Sequence, residues 1–411
     1  MKKTVIIAIL VLLSQALTVS AQKPNTCISC HKELADELQK PALLSGDDIH
    51  HKIGLSCAGC HGGDPSKEDA EEAMSPSKGF VGVPGTLEIP HFCGKCHSKP
   101  AYMRSSNLWL PPDQLEKYWT SMHGQRIRKQ DKKAAQCVSC HSVHDIREVD
   151  NPQASVYAEN VPATCSKCHA DSTYMAEYGI PTRQMDDFKN SVHGAALLQK
   201  HDTGAPACND CHGNHAAMPP GVTSLGTVCY QCHAAEGELF LASPHKPAFD
   251  AMGEAECVYC HSNHKVLHPS DDLVGVEEKA ICVNCHSDGD AGFATAKSMK
   301  EAIVELQSKY KASKDLLDKA ASQGVEVSEE QFALRGIHDQ LLQMRKLIHA
   351  FDAQKSAAAS DSAIKAAGEV HAAGMAAVKE VKSRRYYFAA FTLITLFLAG
   401  VLVMKIKSYG R

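Results

Sequence analysis

No cysteine in this 411-residue sequence stands outside one recurring five-residue pattern. That absence excludes a disulfide framework, which gives no reason for a histidine at a fixed place beside every cysteine pair. It excludes zinc ribbons as well, because paired CxxC motifs need no histidine in each fifth position. An excess of basic charge is also missing. Lys and Arg number 43 against 47 Asp and Glu, a formal net charge of −4, and nothing in that balance points to a nucleic-acid partner. Strand-like alternation is scarce. The fold class expected is mainly α, with short helices, irregular connections and almost no sheet.

The recurring pattern is CxxCH. It begins at Cys27, Cys57, Cys93, Cys137, Cys165, Cys208, Cys229, Cys257 and Cys282, and its second cysteines are Cys30, Cys60, Cys96, Cys140, Cys168, Cys211, Cys232, Cys260 and Cys285. These pairs use all 18 cysteines. Two thiols one helical turn apart meet the two vinyl groups of a haem from one side, and the histidine that follows swings under the iron. The proximal ligands expected are therefore His31, His61, His97, His141, His169, His212, His233, His261 and His286. Nine covalently attached haem c groups follow. About thirty residues per haem cannot build an apolar core. The porphyrins are expected to serve as that core, with folding coupled to their attachment.

The pentads belong to an internal repeat, two to a copy. The second copy reads Cys93 to His97, Tyr102-Met103, Ser121-Met-His123-Gly124, then Cys137 to His141 with His144 three residues on. The third runs Cys165 to His169, Tyr174-Met175, Ser191-Val-His193-Gly194, then Cys208 to His212 and His215. The fourth runs Cys229 to His233, Ser243-Pro-His245, then Cys257 to His261 and His264, without the Tyr-Met pair. A degenerate first copy runs from Cys27 through His50-His51 to Cys57, with Asp64 where the trailing histidine belongs. Cys282 opens a ninth pentad outside the four pairs. His123, His144, His193, His215, His245 and His264 recur in register and are the expected distal ligands. His50, His51 and His91 are the remaining candidates for the first haems. His201 and His268 read as loop residues. His338 and His349 lie eleven residues apart, nearly on one helical face; that face reads as solvated, the alternative being that it touches the haem domain and one of the two replaces a missing ligand in the first copy. His371 reads as solvated. Met103 and Met175 read as packing against porphyrin.

Residues 1–21 read as a secretory signal peptide, with Lys2 and Lys3, an apolar run and the small residues Val19-Ser20-Ala21. Residues 22–290 form the expected nonahaem domain, with Gly62 to Pro90 a long loop over the first haems. After Ser287, helical stripes appear: Met299, Ile303, Leu306, Tyr310 and Leu317, then Leu334, Ile337, Leu341, Met344, Ile348 and Phe351. Ser328 and Gln331 read as a capping box opening the second helix. A third, Ala-rich helix from about Ser362 offers Ala363, Ala367, Gly374 and Ala377 for close approach. Residues 291–385 are thus a helical hairpin and stalk. Residues 386–404 carry no charge and are long enough to span a bilayer. Arg384 and Arg385 precede that span, and the 405–411 tail holds Lys405, Lys407 and Arg411. This places the tail in the cytoplasm and the haems in the periplasm.

These features resemble the multihaem c-type cytochromes with doubled CxxCH motifs. CxxCHxxH preceded by SxHG is similar to the repeats of the NapC/NirT-type and hydroxylamine-oxidoreductase-like groups. The carboxyl-terminal helices and anchor resemble the latter, whereas NapC/NirT quinol dehydrogenases carry an amino-terminal anchor. Ammonifying nitrite reductases have a CxxCK site, which this sequence lacks. The resemblance implies a membrane-anchored periplasmic cytochrome passing electrons between an integral-membrane quinol-oxidising partner and periplasmic carriers or reductases. The span contains no histidine for a b-type haem. The alternative is a reductase of small nitrogen or sulfur oxyanions at one open haem.

Overall fold

The computed structural model describes residues 25–218 and 225–410. The expected leader lies outside the described residues. Among them every regular element is a helix and none is a strand. The chain divides into two compact units, Met1–Pro219 and Pro220–Arg411.

The amino-terminal unit is built of short helices, the longest being Ile89–His97 and Val161–His169 at 9 residues each. The chain restarts helices repeatedly. Pro90 and Pro162 sit in the first turns of these two, where proline costs no hydrogen bond. The SxHG motif is one such start. Ser121 is 1% exposed, and its hydroxyl accepts the Gly124 N–H at 2.9 Å as an N-cap. Ser191 does the same for Gly194 at 3.0 Å. A Cβ on Gly124 would lie 2.1 Å from the Tyr118 carbonyl oxygen, and one on Gly194 2.0 Å from that of Phe188. The serine turns the chain, the glycine lets the preceding helix lie against it, and the histidine between them is aimed by both. Apolar core is thin here. One small cluster gathers Val161, Leu197 and Ala207.

The carboxyl-terminal unit carries the last three pentads and three long helices, Ala291–Ala321, Ser328–Leu347 and Ala353–Tyr409. The stripes read from the sequence are its core: Ile303, Leu306 and Leu317 meet Leu334, Ile337, Leu341 and Met344, with Ala363, Ala367 and Ala377 of the third helix. Small residues set the approach of the first and third helices. Ser313 is fully buried, and its hydroxyl lies 2.7 Å from the Lys309 carbonyl oxygen and 3.4 Å from that of Ala367. A Cβ on Gly374 would meet Leu316 Cβ at 3.1 Å.

Two helix starts differ from expectation. Ser328 does not cap; Val327 holds that position, and Glu326 Oε1 accepts the Ser328 N–H at 3.0 Å. A carboxylate two residues upstream satisfies that donor in place of the serine hydroxyl. The third helix begins at Ala353 rather than near Ser362, because Asp352 accepts the N–H groups of Gln354 and Lys355. It then runs unbroken for 57 residues. Its apolar end is long and hydrophobic enough to cross a membrane, with mean hydropathy 2.3 and no part of that stretch buried. This helix is a candidate membrane anchor.

Candidate haem-ligating site

The pentads sit on helical turns. Cys27, Cys57, Cys93, Cys137, Cys165, Cys208 and Cys257 lie in helices that carry both cysteines of their pentad; Cys229 lies in Leu225–Tyr230 and Cys282 in the 3-10 turn Ile281–Asn284. No disulfide joins any of the cysteines. Each second pentad of a copy ends in the same kink. Gly62, Ser142, Gly213 and Ser262 follow the histidine with φ of 70°, 61°, 78° and 65°, and ψ near the extended value. That region is glycine territory and costs a serine about 1–3 kcal/mol. The kink throws the trailing residues clear of their own pentad.

Within each unit, thiols of successive pentads come together in chain order. Within a copy, Cys93 lies beside Cys137, Cys165 beside Cys208, and Cys229 beside Cys257, each pair close enough for one thiol to shift the titration of the other. Cys27 and Cys57 lie within electrostatic reach of each other. Between copies, Cys60 lies within electrostatic reach of Cys96 and Cys93, Cys140 of Cys165 and Cys168, and Cys260 of Cys282 and Cys285. Burial is the main force pushing Cys140 and Cys260 up to about 11.

Six histidine pairs are set with their rings facing. The centroid separations are 5.9 Å for His50 and His97, 6.1 Å for His61 and His144, 6.1 Å for His123 and His169, and 6.0 Å for His141 and His215. In the carboxyl-terminal unit they are 5.9 Å for His245 and His286 and 6.1 Å for His261 and His349. A metal–imidazole bond is about 2.0 Å, so two imidazoles on opposite sides of one ion have centroids roughly 6 Å apart. All six gaps fit one iron. Among the described residues, no three His, Cys, Asp or Glu side chains converge as a metal cage, so a ring of four equatorial donors such as a porphyrin is what the pairs would need.

The surroundings suit neutral ligands. Burial, and then the charge of the partner ring, lowers His123, His141 and His245, and His141 falls to about 4; His169 is lowered by burial and then by the charge of His212. Neutral imidazole is the form that binds metal. In His31, His50, His61, His286 and His349 the Nδ1 nitrogen is anchored elsewhere, as a metal-bound histidine requires, whereas Nδ1 of His245 is buried without a hydrogen-bond partner among the described residues. His31 Nδ1 lies 2.8 Å from the Leu38 carbonyl oxygen, His61 Nδ1 3.1 Å from that of Val81, and His349 Nδ1 2.9 Å from that of Lys346. His286 Nδ1 is 3.2 Å from Asp290 Oδ1. His50 Nδ1 is 3.0 Å from Asp48 Oδ1, and Asp48 Oδ2 accepts the Ile146 N–H at 3.0 Å. Burial pushes the Asp48 carboxyl up, but hydrogen bonds from His50 and Ile146 together outweigh it and hold the group below its usual range.

The pairs exchange partners between copies. His50 of the first copy faces His97 of the second, His123 of the second faces His169 of the third, and His245 of the fourth faces His286. In the other direction His144 reaches back to His61, and His215 to His141. None of these five histidines serves a pentad of its own copy.

Other candidates are placed differently. The His91 ring packs on Trp119 at 5.0 Å, and His51 faces no other ring among the described residues. His201 Nδ1 is 3.1 Å from Glu159 Oε2, and His338 packs on Tyr310 at 5.5 Å. Met103 and Met175 are buried, 4% and 5% exposed. His193, His212, His233 and His264 are each engaged. His349 is a residue the sequence reading placed on a solvated face, with replacement of a missing ligand in the first copy as the alternative; the structure sets it against His261 instead. Nothing in its own helix's stripe marks it; only the lack of a following copy to serve Cys257 hints at a ligand from elsewhere.

The family model for cytochrome c3 matches residues 49–170 and 200–287, just over half of the chain. The chain belongs to the cytochrome c3 family. It is thus a multihaem c-type cytochrome, and covalently bound haem c and electron transfer go with that family. The matched stretches contain every pentad except that at Cys27. Neither the curated proteins nor the solved structures contain a match to this chain. The haem supplies a reversible one-electron couple whose potential the axial ligands, burial and nearby charge set. The chain's own part is to hold the two thiols, aim one histidine through its Nδ1 anchor, and bring a second ring from a neighbouring copy.

Proposed function

We propose that this cytochrome is a membrane-anchored, periplasmic, nine-haem electron conduit between an integral-membrane quinol-oxidising subunit and periplasmic carriers or reductases. The observation that carries the reading is the chain-order succession of pentads, with histidine rings closing both faces of six haem positions. A closed position suits outer-sphere transfer and leaves no room for substrate on the metal. The SxHG and CxxCHxxH motifs, similar to those of the NapC/NirT-type and hydroxylamine-oxidoreductase-like groups, support a respiratory role. The unburied apolar end of the third long helix, flanked by Arg384, Arg385, Lys405 and Lys407, supports an anchor with a cytoplasmic tail. A lone span without histidine gives little room for a quinone pocket, hence the partner subunit. The test is electron entry. In native membranes, added quinol should reduce the haems, and the purified protein alone should stay oxidised. Equal reduction of the isolated protein by quinol would remove the partner from this account.

A second reading, reduction of a small nitrogen or sulfur oxyanion at one open haem, draws on His31. Its ring carries the Nδ1 anchor of a ligand, yet among the described residues no other ring faces it. A high-spin, carbon-monoxide-binding haem assigned to the Cys27 pentad would favour this reading. A fully low-spin protein would dismiss it.

A further inference from the structure

The backward exchange, in which a later copy's trailing histidine serves an earlier copy's second pentad, has an end. Cys257 opens the second pentad of the last full copy, and no further copy follows to supply its partner ring. The structure brings a ring from outside the repeat. His349, in the 3-10 turn Ile348–Ala350 that closes the second long helix, stacks across from His261 at 6.1 Å and 30°. The separation and tilt match those of His61 and His144, 6.1 Å and 28°. His349 Nδ1 is anchored by the Lys346 carbonyl oxygen, which leaves Nε2 to point away.

The turn is fixed in place from both sides. One helical turn before His349, Arg345 makes a two-pronged ion pair with Asp271, at 2.8 Å and 2.7 Å, in the segment that follows the Cys257 pentad. Lys300 of the first long helix donates to the Asp271 carbonyl oxygen at 2.6 Å. Just after His349, Phe351 takes up a left-handed conformation, φ 48°, and lays its ring on His245 with centroids 3.8 Å apart. His245 in turn faces His286 of the last pentad. Residues 345–351 therefore touch both histidine pairs of this unit.

We propose that His349 is the distal ligand of the haem at Cys257, delivered by the helical bundle and not by the haem repeat. The same bundle continues into the candidate anchor, so the stalk is tied to the conduit through an iron–histidine bond as well as through packing. This inference rests on the haem reading above. The His349→Ala variant of the full-length protein should keep its complete haem complement by intact mass and gain one high-spin, carbon-monoxide-binding haem per chain. His338→Ala, on the same helix, should gain none. His349→Met should remain six-coordinate, acquire a methionine-to-iron charge-transfer band in the near infrared, and raise one midpoint potential. An unchanged low-spin spectrum in both His349 variants would overturn the assignment. A wild-type protein whose mass lacks haem at Cys257 would instead overturn the haem reading itself, which separates the two failures.

Discussion

The pentad-rich amino-terminal unit and the three-helix bundle bury side chains by different means. In the bundle, Ile303, Leu306, Leu317 and Ile337 are at most 2% exposed and touch one another across helices. Among the described residues of the amino-terminal unit, the apolar side chains gather only in a small cluster around Leu197, with Met103, Ile127 and Met175 buried apart from it. Instead, half-buried histidines face each other across gaps the width of a ligated iron. The difference teaches that one region can be specified by polypeptide alone, while the other is a frame for a core that is not polypeptide.

The most severe way to break this comparison is to deny the protein its haem. In cells lacking the attachment machinery, residues 25–218 should show almost no protected amides by hydrogen exchange. Residues 291–381 should stay protected. Equal protection in both would mean that the pentad region folds without its cofactor. A smaller perturbation works from the other side. Leu317→Ala should cost about 2–5 kcal/mol in bundle stability and leave the Soret spectrum of the native protein unchanged. A matching spectral change would mean that bundle and haems unfold as one.

The frame has its own weak points. Asp48 is 7% exposed and joins His50 to the Ile146 backbone. Asp48→Ala should cost about 1.5–3 kcal/mol, the range for hydrogen bonds to a charged group. It should also broaden one low-spin signal as the His50 ring loses its anchor. No change in either would make Asp48 a bystander. The slightest effect concerns the bundle's helix start. Hydrogen bonds, that from the Lys355 N–H foremost, hold the Asp352 carboxyl below its usual range. A depressed folded value means stability present above the unfolded value, near 3.9 for Asp, and lost as pH falls through the folded one. Melting temperature followed from pH 6 down to pH 2 should drop less steeply for Asp352→Ala than for the wild type. Parallel curves would mean that the cap carries no charge-dependent stability.

Much of this architecture was legible beforehand, for reasons specific to each element. The bundle stripes were readable because packing at a 3.6-residue period leaves its mark on side-chain type at Ile303, Leu306, Leu334 and Ile337. The pentads were readable because thioether chemistry fixes five consecutive positions. The pairing of distal histidines was not, because partner choice depends on the positive-φ kinks at Ser142 and Gly213 and on which copy lies beside which. The haem that His349 faces was hidden for a related cause. The helix leading to His349 advertises an apolar stripe that runs on to Ile348 and Phe351, and a histidine between those two positions looks like any solvated one. The start of the third helix was misjudged because Asp352 caps a stretch, Ala353 to Asp361, that has no strong apolar periodicity of its own.

The central claim is that rings brought from neighbouring copies at five positions, and from the helical bundle at a sixth, close both faces of the iron. Electron paramagnetic resonance of the oxidised protein, quantified against total haem and followed by a carbon monoxide difference spectrum after reduction, tests it most directly. The account predicts at least six low-spin, carbon-monoxide-inert haems per chain, and His123→Ala should convert one of them to a high-spin, ligand-binding form. Fewer than six low-spin haems in the native protein, or no conversion in His123→Ala, would contradict it.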